Sequence, residues 1–141
     1  MPNIRAILLS AAAAAGLVAP AFAGERAPTR AERGQEQLAR LLEGRVAGEP
    51  QRCVRTFPNR NLQIIEGTAI VIRDGNTVWV NTTRDPAALN DNDALLIRNF
   101  GTVGQLCRLD PVTTFDRITG FYTGNIFLTD FVPYRREQPT P

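Results

Sequence analysis

Chemistry in this sequence depends on its acidic side chains, because the usual nucleophiles and bases are absent. The 141 residues contain no His, and the one Ser is Ser10, near the amino terminus. Imidazole triads, serine hydrolases and nearly all catalytic zinc sites are therefore excluded. A pair of carboxylates held ~5–9 Å apart could still hydrolyse glycosides. The candidates are Asp91, Asp93, Asp110, Asp116 and Asp130. No neighbouring residues mark any of them as catalytic, and solvated loop or edge carboxylates are the better explanation of their pattern.

A cluster of oxygen-bearing side chains at residues 90–93 suggests calcium binding as a second chemistry. The segment reads Asn90-Asp91-Asn92-Asp93, and carboxylate and amide oxygens are the ligands that Ca²⁺ prefers. It lacks the glycine and the distal glutamate of an EF-hand loop. A turn between two strands explains the same residues, so we predict no metal and no cofactor. Nothing resembles a phosphate loop or a dinucleotide fingerprint.

The lone tryptophan, Trp79, is the side chain best suited to contact a ligand. On a hairpin strand its ring could stack on a sugar or anchor a partner protein. The alternative is a core aromatic of a small sheet. With Asp91 and Asp93 it forms the predicted contact surface. Phe127 and Phe131, four residues apart on a predicted strand, would share one face, and we expect both in the core.

The two cysteines, Cys53 and Cys107, allow one intramolecular pairing. In an exported chain they would meet an oxidising compartment and form a disulfide. The bridge would close a loop of about 55 residues and stabilise the fold by roughly 4 kcal/mol in the chain-entropy model. A redox pair is the alternative, but the C-x-x-C spacing of such pairs is absent.

Residues 1–23 have the pattern of a secretory signal peptide. Arg5 precedes an apolar run at 6–19, which is shorter than the ~20 residues that a bilayer-spanning helix needs. Ala21 and Ala23 supply the small residues of a cleavage site. An uncleaved anchor is the alternative. We expect cleavage after Ala23, a periplasmic or secreted protein, and no membrane-spanning segment after cleavage.

The charge balance argues against a polyanionic partner. The chain has 16 basic and 14 acidic residues, and loss of Arg5 with the signal peptide lowers the formal net charge from +2 to +1. Apart from Arg135-Arg136, no short window concentrates arginine. Nucleic-acid binding normally requires such a basic patch, so we predict none.

An amino-terminal helix and a linker are predicted within residues 24–50. Thr29-Arg30-Ala31-Glu32 matches a capping box, and Gly44 is a typical helix stop, so the helix should cover residues 30–43. Its apolar face is thin, and such a helix needs a surface to lie on. That surface could be the sheet of the same domain or a partner protein. Residues 44–50 have the composition of a linker.

Residues 51–136 are predicted to form a β-rich domain, followed by a frayed tail at 137–141. Alternating apolar residues and the Asp74-Gly75-Asn76 turn predict a three-stranded meander over 62–82. Further strands are predicted at 94–100, 112–118 and 126–134, with Gly120 and Gly124 between the last two. Pro133 suggests a strand edge or terminus. The predicted fold is mainly β, a small barrel or sandwich of about five to seven antiparallel strands with one helix and one disulfide.

Four motifs occur in order along the chain: L-x-G-R-x-A-G-x-P-x-x-C at 42–53, the Asp74-Gly75 hairpin with Val80-Asn81, L-C-x-x-D at 106–110 and F-x-P-Y at 131–134. Together they resemble a family of small secreted proteobacterial proteins, common in alphaproteobacteria, that carry a domain of unknown function. The resemblance covers roughly residues 38–134. Members typically carry further cysteines that this chain lacks. The resemblance implies an exported, disulfide-linked β-rich domain and brings no catalytic residues with it.

These observations predict a protein that is not an enzyme. We expect a binding or structural module of the bacterial envelope that contacts an envelope protein or a glycan. An inhibitor or accessory factor of an envelope hydrolase is the first alternative, with residues 83–93 as its protruding loop. A hydrolase that uses carboxylates alone is the second.

Overall fold

The computed structural model describes residues 26–56, 61–101 and 103–137. The predicted signal peptide at 1–23 lies outside the described residues, and so do residues 138–141 of the predicted tail. The described chain starts just before a helix and is otherwise built mainly from short strands.

Helix α1 (Arg30–Leu42) begins where the capping box predicts. The Thr29 hydroxyl accepts a hydrogen bond from the Glu32 amide at 3.2 Å, and the Glu32 carboxylate accepts one from the Thr29 amide at 2.6 Å. Both bonds satisfy N–H groups that the helix itself leaves without a partner. The helix ends one residue earlier than predicted, because Glu43 has left the helical conformation and acts as the C-terminal cap.

The described residues contain ten strands in three antiparallel sheets. Their bounds are β1 (Arg45–Ala47), β2 (Cys53–Arg55), β3 (Leu62–Ile65), β4 (Ala69–Asp74), β5 (Thr77–Asn81), β6 (Asp93–Ile97), β7 (Gln105–Cys107), β8 (Val112–Asp116), β9 (Tyr122–Ile126) and β10 (Val132–Arg136). The sheet orders are β1-β10-β5-β4-β3, β6-β8-β9 and the ribbon β2-β7. The predicted fold class is confirmed, and the sheets form a sandwich. The strand count exceeds the prediction, because three-residue strands are too short to show a period of two.

The predicted meander is present as β3, β4 and β5. The turn between β4 and β5 starts at Gly75, whose φ of 55° is open to glycine because no Cβ clashes there. Along β4, Ile70 and Ile72 point to one face and Ala69 and Val71 to the other. All four are at most 1% exposed, so this sheet is covered on both faces.

The predicted linker at 44–50 contributes a strand to the sheet. β1 pairs with β10, which makes β10 an interior strand although Pro133 suggested an edge or terminus. The Pro133 carbonyl accepts a hydrogen bond from the Gly48 amide at 2.7 Å, beyond the end of β1. In a strand the N–H and C=O of one residue point to the same neighbouring strand. The position of the N–H that Pro133 lacks therefore faces the β1 side, and no hydrogen bond to β5 is lost.

The last part of the chain holds three strands where two were predicted. Gly124 was expected between strands and lies within β9 instead. The turn that precedes β9 contains Gly120 with a φ of 72°. Phe131 is fully buried as predicted, but Phe127 is 61% exposed, so the two rings do not share a core. The prediction for Phe127 is wrong because β9 ends at Ile126 and the alternation of one strand does not continue to Phe131.

Two apolar cores lie on opposite faces of the five-stranded sheet. One joins Leu38 of α1 to sheet residues that include Ile65 and Val71, which confirms that the helix lies on its own sheet. The other joins residues of the opposite face to the ribbon β2-β7 and the sheet β6-β8-β9. The molecule therefore has three layers, with the helix on one side of the large sheet and the two small sheets on the other.

Candidate ligand-binding cleft

A cleft of about 720 Å³ lies between the five-stranded sheet and β6. Its apolar wall is formed by Leu62, Ile64 and Ile72 from the large sheet, Leu95 and Ile97 from β6, and Leu106 from β7. Sites for small ligands in proteins measure roughly 300–1,000 Å³ and combine an apolar lining with a few polar groups. The cleft has both the size and the lining of such a site.

Among the described residues, Asp93 and Arg117 are the charged side chains that line the cleft. Asp93 is 3% exposed, and its Oδ2 accepts a hydrogen bond from the Thr123 hydroxyl at 2.8 Å. Its Oδ1 is buried and has no hydrogen-bond donor among the described residues. Arg117 donates from Nε to the Asp93 backbone carbonyl at 3.1 Å. A buried carboxylate oxygen without a donor is costly, which distinguishes Asp93 from the other polar residues of the lining.

The predicted contact residues Asp91 and Asp93 separate in the structure. Asp91 is exposed in the turn before β6, whereas Asp93, the first residue of β6, turns its side chain inward. The Asn90 side chain accepts a hydrogen bond from the Asn92 amide at 3.0 Å, so it shapes this turn. In the described part of the chain no three or more Cys, Asp or Glu side chains are grouped as a metal site needs.

Trp79 lies in the core. It is 8% exposed and packs with Ile72, Leu128 and other residues of the core on the cleft side of the sheet. Its strand β5 is flanked by β4 and β10 in the middle of the large sheet, and the two small sheets cover this face. The expectation of an exposed ring for sugar stacking or partner contact is therefore corrected, and the alternative of a core aromatic describes its position.

The predicted disulfide joins Cys53 and Cys107, whose Cα atoms are 4.0 Å apart. The two residues face each other across β2 and β7. The Arg108 amide donates to the Arg52 carbonyl, so the cysteines occupy a pair without hydrogen bonds, where antiparallel strands come closest. Both cysteines are in the disulfide, and the bridge fastens the ribbon beside the cleft.

The other candidate carboxylates have structural partners. Asp110 is 8% exposed and accepts a hydrogen bond from the Cys107 amide at 2.8 Å. Asp130 forms an ion pair with Arg108 at 3.1 Å. Both side chains hold loops around the ribbon β2-β7.

Asp116 lies directly opposite Asp93 in the β6–β8 ladder but does not line the cleft. Its Oδ1 accepts hydrogen bonds from the Thr119 amide at 2.7 Å, the Thr119 hydroxyl at 2.8 Å and the Ile118 amide at 3.0 Å. These bonds, the one from the Thr119 amide first, lower the pKa of Asp116 below its ordinary value. The carboxylate therefore locks the turn between β8 and β9.

This locked turn carries exposed apolar side chains that the sequence analysis did not single out. Ile118 is 92% exposed, Phe121 74% and Tyr122 57%. We call these three residues the hairpin tip. Monomeric proteins rarely expose large apolar groups together unless they contact something. An apolar cluster around Thr119-Gly120 was the available signal, but nothing in it distinguishes an exposed tip from a buried one.

Arg117 and the apolar wall of the cleft were also missed. The wall combines residues near positions 62–72 with residues near 95–106. No pattern within either segment says that the two face each other. The alternating apolar residues of β3 and β6 predicted strands but not this arrangement.

Comparison with protein-family models, curated proteins and solved structures finds no match for this chain. The resemblance to small secreted proteins of alphaproteobacteria therefore stays a prediction. Within residues 26–56, 61–101 and 103–137, no helix is both long and apolar enough to cross a membrane.

Proposed function

We propose that this protein is a non-catalytic binding module of the bacterial envelope that holds its ligand in the cleft between the large sheet and β6. The observation that carries the proposal is the cleft itself, about 720 Å³ in volume with an apolar wall and polar groups at Asp93 and Arg117. The disulfide Cys53–Cys107 supports a periplasmic or secreted location, because such bonds persist in oxidising compartments.

The chemistry of the lining favours binding over hydrolysis. Glycosidic hydrolysis uses two carboxylates that face the same substrate. Among the described residues that line the cleft, Asp93 is the single carboxylate, and its register partner Asp116 is engaged by the hairpin turn. The alternative of a carboxylate-based hydrolase therefore has less support than a binding role.

Site-specific crosslinking tests the proposal. Leu96 lines the cleft and is 45% exposed, so p-benzoylphenylalanine in its place reaches an occupant without disturbing the core. The same photoprobe in place of Val46, which is 52% exposed on β1, reports on a surface away from the cleft. In an envelope extract we expect an adduct from position 96 that position 46 does not give.

A blocking variant provides the control for this experiment. Ala94 is an exposed cleft residue, and Ala94→Trp should fill the opening and abolish the adduct. Ala87→Trp places the same side chain on an exposed residue that does not line the cleft, and should leave the adduct unchanged. Adducts that persist in Ala94→Trp, or no adduct at position 96, would contradict a binding role for the cleft.

The hairpin tip favours a second candidate function, an inhibitor or accessory factor of an envelope hydrolase. Inhibitors present a rigid exposed segment to the enzyme, and the bonds to Asp116 hold Ile118 and Phe121 in this way. The loop at 83–93 that the sequence suggested is less suited to this role. Its Leu89 is 2% exposed, and the Leu89 carbonyl accepts a hydrogen bond from the Gly67 amide at 2.9 Å.

Inhibition of cell-wall lysis tests this second function. The purified protein should slow clearing of peptidoglycan by an envelope extract, and Ile118→Asp should remove the effect because a charge replaces the apolar contact. Val46→Asp makes the same change on an exposed residue of β1 and should keep it. Equal clearing with and without the wild-type protein would exclude an inhibitor.

A further inference from the structure

We propose that the ligand of the cleft is an extended peptide segment that adds a strand to the free edge of β6. This inference rests on the proposed binding function of the cleft and names the chemical class of its occupant. It follows from the direction of the backbone groups along β6, from the opposite wall of the cleft and from the charge at Asp93.

Within residues 26–56, 61–101 and 103–137, the hydrogen-bonding pattern of β6 leaves one edge without a partner strand. The Arg98 amide donates to the Pro111 carbonyl, and the Arg117 amide donates to the Asn92 carbonyl. In an antiparallel ladder the residues bonded to the partner alternate, so the even-numbered residues of β6 bond to β8. The N–H and C=O groups of the odd-numbered residues point the other way.

Leu95 and Ile97 therefore present their backbone groups along the free edge. β8 is the sole neighbour of β6 in its sheet, and the described residues provide no other hydrogen-bond partner for these groups. All five residues of β6 line the cleft, which places the edge of the strand, rather than one face alone, along the cleft. Backbone groups in an apolar wall require hydrogen-bond partners, and a peptide supplies them in the right spacing.

The wall of the cleft opposite β6 is also formed by the edge of a strand, β3. Among the strands that the structure describes, β3 is the end strand of the large sheet and pairs with β4 alone. The Arg73 amide donates to the Asn61 carbonyl, so the backbone groups of Leu62 and Ile64 point away from β4. Both residues line the cleft and turn their side chains to the apolar core. An extended peptide would thus lie between two strand edges with its apolar side chains on the core.

Charge identifies one feature of the peptide. Asp93 starts β6 and is the carboxylate among the described residues of the cleft lining. A lysine side chain or an amino terminus at this end of the peptide would complement its charge. A small amphiphile with a cationic head would satisfy Asp93, but it would leave the edges at Leu95 and Ile97 without donors and acceptors.

Selection of peptides followed by amide exchange tests the inference. Random heptapeptides displayed on phage are selected on the purified, oxidised protein, with Ala94→Trp for counter-selection. We expect enriched peptides with apolar residues at alternate positions and a positive charge at one end. The amides of Leu95 and Ile97 should exchange rapidly in the free protein and about tenfold or more slowly with saturating peptide, because they gain hydrogen bonds. Those of Ala94 and Leu96 should be protected in both states.

Two matched variants separate the backbone from the side chains. Leu95→Pro removes the outward N–H without removing a bond to β8, a change that edge strands tolerate. It should weaken peptide binding about tenfold relative to Leu95→Val, which keeps the N–H. Asp93→Asn should reduce the preference for a charged peptide end, whereas Asp91→Asn, a change of the exposed neighbour, should not.

Several results would overturn strand addition. One is an absence of enriched peptides, and another is equal affinity of the Leu95→Pro and Leu95→Val proteins. Dodecylamine or dodecanoate that binds in place of peptide and leaves the Leu95 amide unprotected would show an amphiphile site. A concentration-dependent dimer with protected Leu95 would show that a second copy occupies the edge. A non-peptide adduct at position 96 would retain the binding function and reject the peptide, whereas loss of all adducts rejects both.

Discussion

The two faces of the large sheet are closed in different ways. On one face α1 lies directly on the strands, and Leu38 packs on Ile65 and Val71 without an intervening layer of sheet. On the other face two small sheets cover the strands, and the space between β3 and β6 stays open as the cleft. A single helix follows one sheet face closely, whereas two separate small sheets leave a gap at their edges. The helix side is therefore closed by direct side-chain packing, whereas the other side is held by the disulfide-linked ribbon and leaves a cleft.

The largest expected effect on stability comes from loss of the disulfide, which joins β2 and β7 on the cleft side of the large sheet. Replacing both cysteines with serine should lower the free energy of unfolding by about 4 kcal/mol in the chain-entropy model, because the unfolded chain regains the freedom of a long loop. Urea unfolding of the wild type with and without reductant, beside the Cys53→Ser, Cys107→Ser double variant, measures it. The double variant should be insensitive to reductant. Equal unfolding free energies in all samples would mean that the bridge does not hold this side together.

The next effect concerns the close approach of α1 to the sheet at Gly34. A Cβ at this position would overlap the Thr68 hydroxyl and the Glu66 carbonyl, so the helix could not keep its distance. Gly34→Ala should destabilise the protein by about 2–3 kcal/mol, although the same change in a free helix is favourable. Gly101→Ala is the matched control, because its Cβ would meet nothing within 4 Å. Thermal and urea unfolding measure both, and a neutral Gly34→Ala would show that the helix can lift from the sheet at little cost.

A smaller effect on stability is expected when the same substitution is made at two adjacent residues of β3, one on each face of the large sheet. Ile65 is 0% exposed on the helix side, whereas Ile64 is 6% exposed and borders the cleft. Ile65→Val should cost about 1.5 kcal/mol and Ile64→Val about 0.5 kcal/mol, because Ile64 has fewer neighbours to lose. Urea denaturation provides the values. Equal losses, or a larger loss at Ile64, would indicate that the cleft is packed in solution.

The smallest expected effect on stability is the response to acid. One carboxylate on each face of the large sheet is involved, Glu32 on the helix side and Asp116 on the cleft side. Hydrogen bonds from Thr29, its backbone amide first, lower the pKa of Glu32, and those from Thr119 lower the pKa of Asp116. A lowered pKa in the folded state means that each carboxylate stabilises the fold above its ordinary value and loses this contribution as the pH falls through the folded value. Glu32→Gln and Asp116→Asn should therefore be less stable than the wild type at neutral pH.

In acid the difference should disappear. Once the pH has fallen below the folded-state pKa values of both carboxyls, the wild-type groups are protonated, and both variants should unfold at the same urea concentration as the wild type. A series of urea midpoints from neutral to acidic pH measures this convergence. A difference that persists in acid would attribute the effect of the variant to shape rather than charge.

Local patterns predicted the elements that depend on neighbouring residues. The capping box of Thr29 and Glu32 and the turn at Gly75 are complete within a few residues, and the structure contains both. The cysteine pairing followed from their number. Strand β1 was missed because three residues carry no periodic signal, and its place in the sheet comes from β10, far along the chain.

The candidate site was predicted in part. Asp93 was named as a contact residue, and it does line the cleft, but as a buried carboxylate rather than an exposed one. Trp79 was named as a possible contact residue with a core aromatic as the alternative, and the structure shows the core position. The sequence left both open because alternation along β5 shows which residues share a face and not what covers that face. The hairpin tip at Ile118 was missed for the same reason.

The amino-acid sequence alone determined the helix with its cap, the meander, the mainly β class and the pairing of the two cysteines, because each depends on local hydrogen bonding, backbone freedom or a count of residues. The tertiary structure decided which sheet face each apolar residue covers, which edge of β6 has no partner strand among the described residues, and that Asp93 lines a cleft. These features arise where segments distant in the chain pack together, and the free energy of such packing is not encoded in any one segment.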